Sequence, residues 1–338
     1  MDITRIGIDL AKNVFQIHGV DRAGKVIVRK QLRRNQMQAY FGKLPATLIG
    51  MEACGSSHYW GRELGKMGHD VRLMSPQFVK PYVKSGKNDV NDAEAICEAV
   101  SRPNMRFVAV KSVEQQVMQA EHRIRARLIK ARTALSNEIR GLLGEFGIVL
   151  PVTLANLHKA IPELLEDAEN GLLADFRKLL SMLGEELSRL DDNIKQYDAR
   201  IAHSAKTDER IKHLLAVEGI GPVVASALVS AVGDGNQFSK GRDMAAWLGL
   251  VPNQHSSGGK NQLGHISKRG DKYVRMLLIH GARAALKAAE NKTDGRSRWV
   301  TGLAKRRNKN IATVALANKN ARIAWSILSR EETYRVAE

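Results

Sequence analysis

Four acidic side chains carry the first chemistry this sequence can offer. Asp9 closes the run Gly7-Ile8-Asp9, Glu52 closes an apolar stretch, and Asp89 and Asp92 stand three apart in Lys87-Asn88-Asp89-Val90-Asn91-Asp92. A carboxylate is almost never buried without a cation, a metal or a set of hydrogen bonds. Asp9 alone would serve as a turn cap. Asp89 and Asp92 alone would serve as an N-cap and dipole partners in a first helical turn. Four acids on elements that converge read differently, because like charges a few ångströms apart need a cation between them. Hard oxygen ligands point to Mg²⁺ or Mn²⁺. Two such ions can hold the attacking and leaving oxygens of a phosphodiester.

The elements that must bring these acids together follow from periodicity. Ile3–Leu10, Val14–Val20 and Val26–Gln31 alternate as three antiparallel strands, with a turn at Asp21-Arg22-Ala23-Gly24. A helix over Asn35–Leu44, a strand over Thr47–Ala53, a helix over Ser57–Met67 and a strand over Val71–Ser75 come next. Helices over Pro76–Lys84 and Asp89–Arg102 and a short strand over Arg106–Val110 complete the region. Three antiparallel strands followed by alternating helices and strands is the order of an RNase H-like α/β sheet. In that order the first and fourth strands are neighbours, which sets Asp9 beside Glu52. Actin-like ATPases and sugar kinases also open on Gly-Ile-Asp, but they need a glycine-rich phosphate loop next, and Leu10-Ala11-Lys12-Asn13 has no glycine.

Residues 111–205 read as helical. Val113, Val117, Ala120, Ile124, Leu128, Ala131, Leu135, Ile139, Leu142 and Phe146 recur at 4-3-4 spacing, as one long helix with a single apolar stripe. A second long helix spans Leu172–Ala202, with Gly147–Pro151 and Pro162 breaking the chain between them. The pair reads as an antiparallel hairpin or as a dimer-forming coiled coil. The opposite face carries Arg123, Arg125, Arg127, Lys130, Arg132 and Arg140, either solvated or on nucleic acid.

The last region, 206–338, is all-α in pattern. Helices over Ile211–Val217 and Val223–Val232 flank Gly219-Ile220-Gly221-Pro222, a helix-hairpin-helix signal in which Gly219 and Gly221 leave backbone N–H groups for a phosphate. A polar loop, Asn253–Lys260, holds Ser256 and Ser257 before two glycines, and a helix runs Asp271–Ala289. A serine in such a loop reads equally as a mobile linker residue, since a hydroxyl needs a base or metal to become a nucleophile. The net charge is +18, and residues 255–330 hold 17 Lys or Arg against three acids, so +14 of it lies there. A field of that density attracts a polyanion. Lys260, Lys268, Arg269 and Arg275 are the candidate phosphate contacts. No apolar run approaches a membrane span, no apolar signal follows Met1, and Cys54 and Cys97 show neither metal-ligand nor disulfide spacing. Both cysteines read as small buried apolar residues in a cytoplasmic protein.

These motifs together resemble one family. Gly7-Ile8-Asp9, Met51-Glu52-Ala53-Cys54-Gly55, Lys87-Asn88-Asp89-Val90-Asn91-Asp92-Ala93, Gly219-Ile220-Gly221-Pro222, Gly249-Leu250-Val251-Pro252, Ser256-Ser257-Gly258 and Ile266-Ser267-Lys268-Arg269-Gly270 occur in the order found in DEDD-type insertion-sequence transposases. The resemblance is to the family numbered one hundred and ten, eleven-eleven subgroup. It implies a RuvC-like catalytic domain over 1–110 with Asp9, Glu52, Asp89 and Asp92 as metal ligands. It further implies a coiled-coil segment over 111–205 and a transposase domain over 206–338 with Ser257, or its neighbour Ser256, as nucleophile. It also implies a structured guide RNA, target and donor double-stranded DNA as partners, and a homo-oligomer, dimer or tetramer, whose site joins acids and serine from different protomers. Two other classes remain open on the residues: a RuvC-like nuclease using metal-activated water, and a non-catalytic nucleic-acid scaffold.

Overall fold

The structure, a computed structural model, describes residues 2–84, 86 and 88–334. Lys87 of the acidic motif lies outside the described residues. The chain divides into two compact units, Met1–Glu114 and Gln115–Glu338. The helical segment thus shares a unit with the C-terminal helices.

The first unit is built on a six-stranded sheet. β1 (Arg5–Leu10), β2 (Val14–Val20) and β3 (Val26–Arg33) form the antiparallel meander. A 3₁₀ turn at Arg34–Gln36 and the short α1 (Met37–Phe41) lead to β4 (Leu48–Glu52), which pairs in parallel with β1. α2 (Ser57–Lys66) returns the chain to β5 (Asp70–Met74), parallel to β4. α3 (Pro76–Val79) is one turn long, because Pro81 follows in a 3₁₀ turn; the helix read over Pro76–Lys84 is therefore broken in two. α4 (Asp89–Ala99) and β6 (Phe107–Val108), antiparallel to β5, finish the unit. The strand order β3-β2-β1-β4-β5-β6 makes β1 and β4 neighbours, compatible with an RNase H-like domain. Its core is apolar and close-packed: Ile6, Ile8, Phe15, Ile17, Ile49, Met51, Trp60, Leu64 and Leu73.

In the second unit, α5 (Val113–Glu145) and α7 (Ala174–Thr207) are the two long helices. Their ion pairs fix the sense of packing: Glu121 meets Arg200, Arg125 meets Asp198 and Arg132 meets Asp191, so the two run antiparallel within one chain. Arg125, Arg132 and Arg140 are consequently engaged inside the protein; Arg140 donates to the Val152 and Thr153 carbonyls. Of the basic face, Arg123, Arg127 and Lys130 remain exposed. Between the long helices lies α6 (Leu154–Glu166), with Pro162 inside it. Burial of Leu157 and Ile161, the latter seated over Gly184, outweighs the helix-breaking tendency of that proline.

α8 (Glu209–Leu215), α9 (Pro222–Val232) and α10 (Gly241–Trp247) open the C-terminal part. A hairpin of β7 (Pro252–Gln254) and β8 (Leu263–Ile266) precedes α11 (Lys272–Ala289), α12 (Gly295–Arg306) and α13 (Lys309–Arg330). α13 carries Leu316, Ala317, Ala321 and Ala324 into a core shared with α9, α10 and α11. One polar network ties α5 to this core: His122 meets Tyr273 Oη at 3.1 Å and Ser226 Oγ at 2.9 Å. Burial, with the Arg125 charge second, drives the His122 pKa down to about 4, so the ring is neutral at physiological pH.

Candidate functional site

Asp9 sits near the end of β1, Glu52 is the last residue of β4, and Asp89 and Asp92 occupy the first turn of α4. One carboxylate oxygen from each of Asp9, Asp89 and Asp92 lies within 4.8 Å of the others. Glu52 stands close enough to feel them. Its pKa is raised, first by burial and then by the charges of Asp9 and Asp92. Cys54, two residues on, is exposed at the surface, contrary to its reading as a buried residue; its thiol pKa is raised by the protein around it and by Glu52 and Asp9. Cys97 is buried as expected.

Two glycines bring the helix to the strands. Gly7 on β1 is opposite Gly50 on β4 in the parallel register. A Cβ on Gly7 would overlap the Ala93 carbonyl and the Cys97 backbone of α4, and one on Gly50 would meet Val100 just beyond its end. α4 therefore lies on a notch of two missing side chains, and its first turn arrives beside the end of β1. Asn88 caps it, accepting from the Val90 N–H at 3.0 Å. Three carboxylates so close repel unless a divalent cation sits among them, and an all-oxygen donor set suits a hard ion.

The serines belong to the other unit. The stretch read as a polar loop is a hairpin, closed by the Lys260 N–H donating to the Ser257 carbonyl at 3.0 Å. Gly258 and Gly259 have φ of 55° and 75°, the left-handed pair that a two-residue hairpin turn requires. Ser257 and Lys260 thus face each other at an exposed tip, while Ser256 Oγ accepts from Gln254 Nε2 at 2.9 Å.

The base of the hairpin is interlocked with the chain on either side. A Cβ on Gly249 would overlap Arg269, and one on Gly270 would overlap the Trp247 carbonyl. Arg275 is buried and donates to the Leu248 carbonyl at 2.9 Å and the Arg269 carbonyl at 2.7 Å. It is a clamp on two loops, and its reading as a nucleic-acid contact is corrected. Lys268 and Arg269 are exposed, Lys268 with a left-handed φ of 53°. Gly219 is taken up by packing, since a Cβ there would meet the Gly281 carbonyl of α11 at 2.8 Å; Gly221 is exposed at the start of α9.

Comparison with known proteins decides the family. Residues 6–148 match the DEDD transposase model and residues 211–297 match the transposase family IS116/IS110/IS902. A probable family 20 transposase of Pseudomonas aeruginosa is 56% identical over 99% of both chains. The chain belongs to the IS116/IS110/IS902 family of insertion-sequence transposases. The transposase for insertion sequence element IS1111A of Coxiella burnetii is 47% identical, over 99% of this chain and 92% of the other. That for element IS1328 of Yersinia enterocolitica is 40% identical over 97% and 98%. A DEDD transposase cleaves and joins DNA with a divalent metal, and the acids clustered at the ends of β1 and β4 and the start of α4 fit that requirement. No helix among the described residues is long and apolar enough to cross a membrane.

The C-terminal helices also enclose a cleft that no sequence motif marks. A cleft of about 1280 Å³ opens between the hairpin, α10, α12 and α13, lined by Trp299, Lys319 and Arg322 among others. Its one sign in the sequence is a tryptophan, Trp299, set among the basic residues that follow Asp294.

Proposed function

We propose that this transposase is an RNA-guided DNA recombinase in which Ser257 is the nucleophile and Asp9, Glu52, Asp89 and Asp92 hold Mg²⁺ or Mn²⁺. The observation that carries the metal assignment is the meeting of Asp9, Asp89 and Asp92 within 4.8 Å. Asp9, Glu52, Asp89 and Asp92 would hold the divalent ion, which when bound would supply charge stabilisation to the scissile phosphate and favour loss of the nucleophile's proton. Ser257 Oγ attacks phosphorus, a serine–phosphate ester forms and the strand's P–O bond breaks. The departing oxygen takes a proton as the hydroxyl gives one up. The ester keeps the bond energy, so an incoming strand hydroxyl reverses the step and joins the new strand. Presentation of Ser257 at an exposed tip supports this role, because a nucleophile must reach into DNA. Lys260, Lys268 and Arg269 contact phosphates, and the exposed N-terminus of α9 at Gly221 adds backbone donors. The +14 carried by residues 255–330 supports a structured guide RNA held with two duplexes by a homo-oligomer. Base pairing then reads sequence while the protein reads backbone.

The deciding experiment traps protein on nicked DNA. The wild type forms a covalent adduct, and Ser257→Ala loses it while still binding nucleic acid. An adduct that survives in Ser257→Ala moves the role to Ser256. If the wild type cleaves without any adduct, metal-activated water attacks instead, as in a RuvC-like nuclease. Sequencing the RNA that copurifies with the protein tests the guide: one enriched structured species is expected, and random fragments contradict it.

A further inference from the structure

The cleft beside the serine hairpin has the chemistry of a site for unpaired nucleobases. Its rim carries Lys240, Arg242, Lys268, Lys319 and Arg322, and no acid lines it among the described residues. None of these five cations takes part in an ion pair among the described residues. A polyanion is the complementary partner. The floor is different in kind. Ile311 and Trp299 are 49% and 38% exposed, the latter even with Lys319 Nζ 4.6 Å above its ring. Trp325 closes the wall, its indole N–H satisfied by the Phe238 carbonyl at 3.2 Å.

Intact duplex DNA hides the faces of its bases and has no use for an apolar floor. An unpaired base has two apolar faces and stacks on aromatic side chains, whatever its identity. At about 1280 Å³ the cleft exceeds the roughly 300–1,000 Å³ of a small-molecule pocket. Pro252, Gly264 and His265 of the hairpin form one wall, so the tip bearing Ser257 stands five residues, roughly 15 Å, from the cleft.

We propose that this cleft seats the unpaired bases of the DNA strand next to the attacked phosphodiester, with one base stacked on Trp299 and phosphates on Arg322, Lys319 and Lys268. The choice of DNA over RNA rests on the assignment of Ser257 as nucleophile, which places a DNA strand at the hairpin. The site would hold the melted strand ends apart from their complements while strands exchange.

The test uses full-length protein carrying Ser257→Ala and a labelled DNA single strand of roughly 12 nucleotides. Trp299→Ala is expected to weaken its binding about ten-fold, Trp299→Phe to retain most of the affinity, and binding of the matching duplex to stay unchanged. Arg322→Gln, which removes one cation from the rim, is expected to lower the salt slope by about 0.7. Unaltered single-strand affinity in both Trp299→Ala and Arg322→Gln overturns the proposal, as does an equal loss for the duplex. An RNA single strand that binds more tightly and alone responds to Trp299→Ala overturns the DNA assignment. Because this readout is non-covalent, it is separate from the adduct assay: the cleft can respond in a protein that forms no adduct, and the reverse.

Discussion

The acidic cluster and the serine hairpin are built in opposite ways. Each acid sits at the end or beginning of a regular element, half-buried except for Asp89, and its position is set by the strand register and by α4 resting on Gly7 and Gly50. Ser257 has no such neighbourhood. It stands at the tip of a thin hairpin that is exposed from Pro252 to His265, and its order comes from the base, where Gly249, Gly270 and Arg275 lock two loops together. A metal site needs several ligands held to within a fraction of an ångström, which only packed elements supply. A nucleophile needs reach, which a packed element would deny it.

That contrast can be broken at its two ends. The largest effect is expected for Asp92→Asn, which leaves too few charges to hold the ion. Strand cleavage in Mg²⁺ should fall by roughly a thousand-fold or more, several kcal/mol in the barrier, while thermal melting without metal stays level or rises as repulsion is relieved. Cleavage within ten-fold of wild type would remove Asp92 from the site. Next is Arg275→Met, which takes the guanidinium donor from the buried Leu248 carbonyl and the part-buried Arg269 carbonyl. A loss of about 2–4 kcal/mol in denaturant stability is expected, with DNA affinity per folded molecule little changed. A large affinity loss in a stable variant would restore Arg275 as a nucleic-acid contact.

Gly7→Ala tests the notch. The added methyl meets backbone and cannot be relieved by a side-chain rotation, so about 1–3 kcal/mol of stability should go, together with most of the Mg²⁺ response, as α4 shifts. A stable variant with full metal response would mean that α4 reaches its place without the notch. The smallest effect belongs to Gly258→Ala. Its left-handed φ costs an alanine about 1 kcal/mol, and nothing surrounds it, so stability should fall by no more than that while the adduct forms several-fold more slowly. An unchanged adduct rate would show that the turn conformation does not position Ser257.

Legibility followed the range of the forces involved. The alternation of β1 to β3 and the apolar run of β4 are local signals, and with the order of the elements that follow they suffice to make β1 and β4 neighbours and so to set Asp9 beside Glu52. The two long helices were legible as apolar periodicity, but whether they pair within a chain was not, because Arg125–Asp198 and Arg132–Asp191 join residues far apart in sequence. Arg275 was misread for the same reason: a lone arginine among many basic residues carries no local sign that distant carbonyls claim it. The Asn253–Lys260 stretch reads as a loop in sequence because the hairpin's two strands, Pro252–Gln254 and Leu263–Ile266, are only three and four residues long, too short for alternation to register.

By itself the chain's order of residues determined the four acids, the apolar faces that must be covered, the glycines at turns and the basic end. Those are properties of residue type and spacing, which no folding is needed to express. Only the tertiary structure decided that three carboxylates converge, that Gly7 and Gly50 admit α4, that several arginines are occupied internally, and that Trp299 lines a basic cleft. Each of these depends on which distant backbone passes within van der Waals reach, and close packing settles that over the whole core at once.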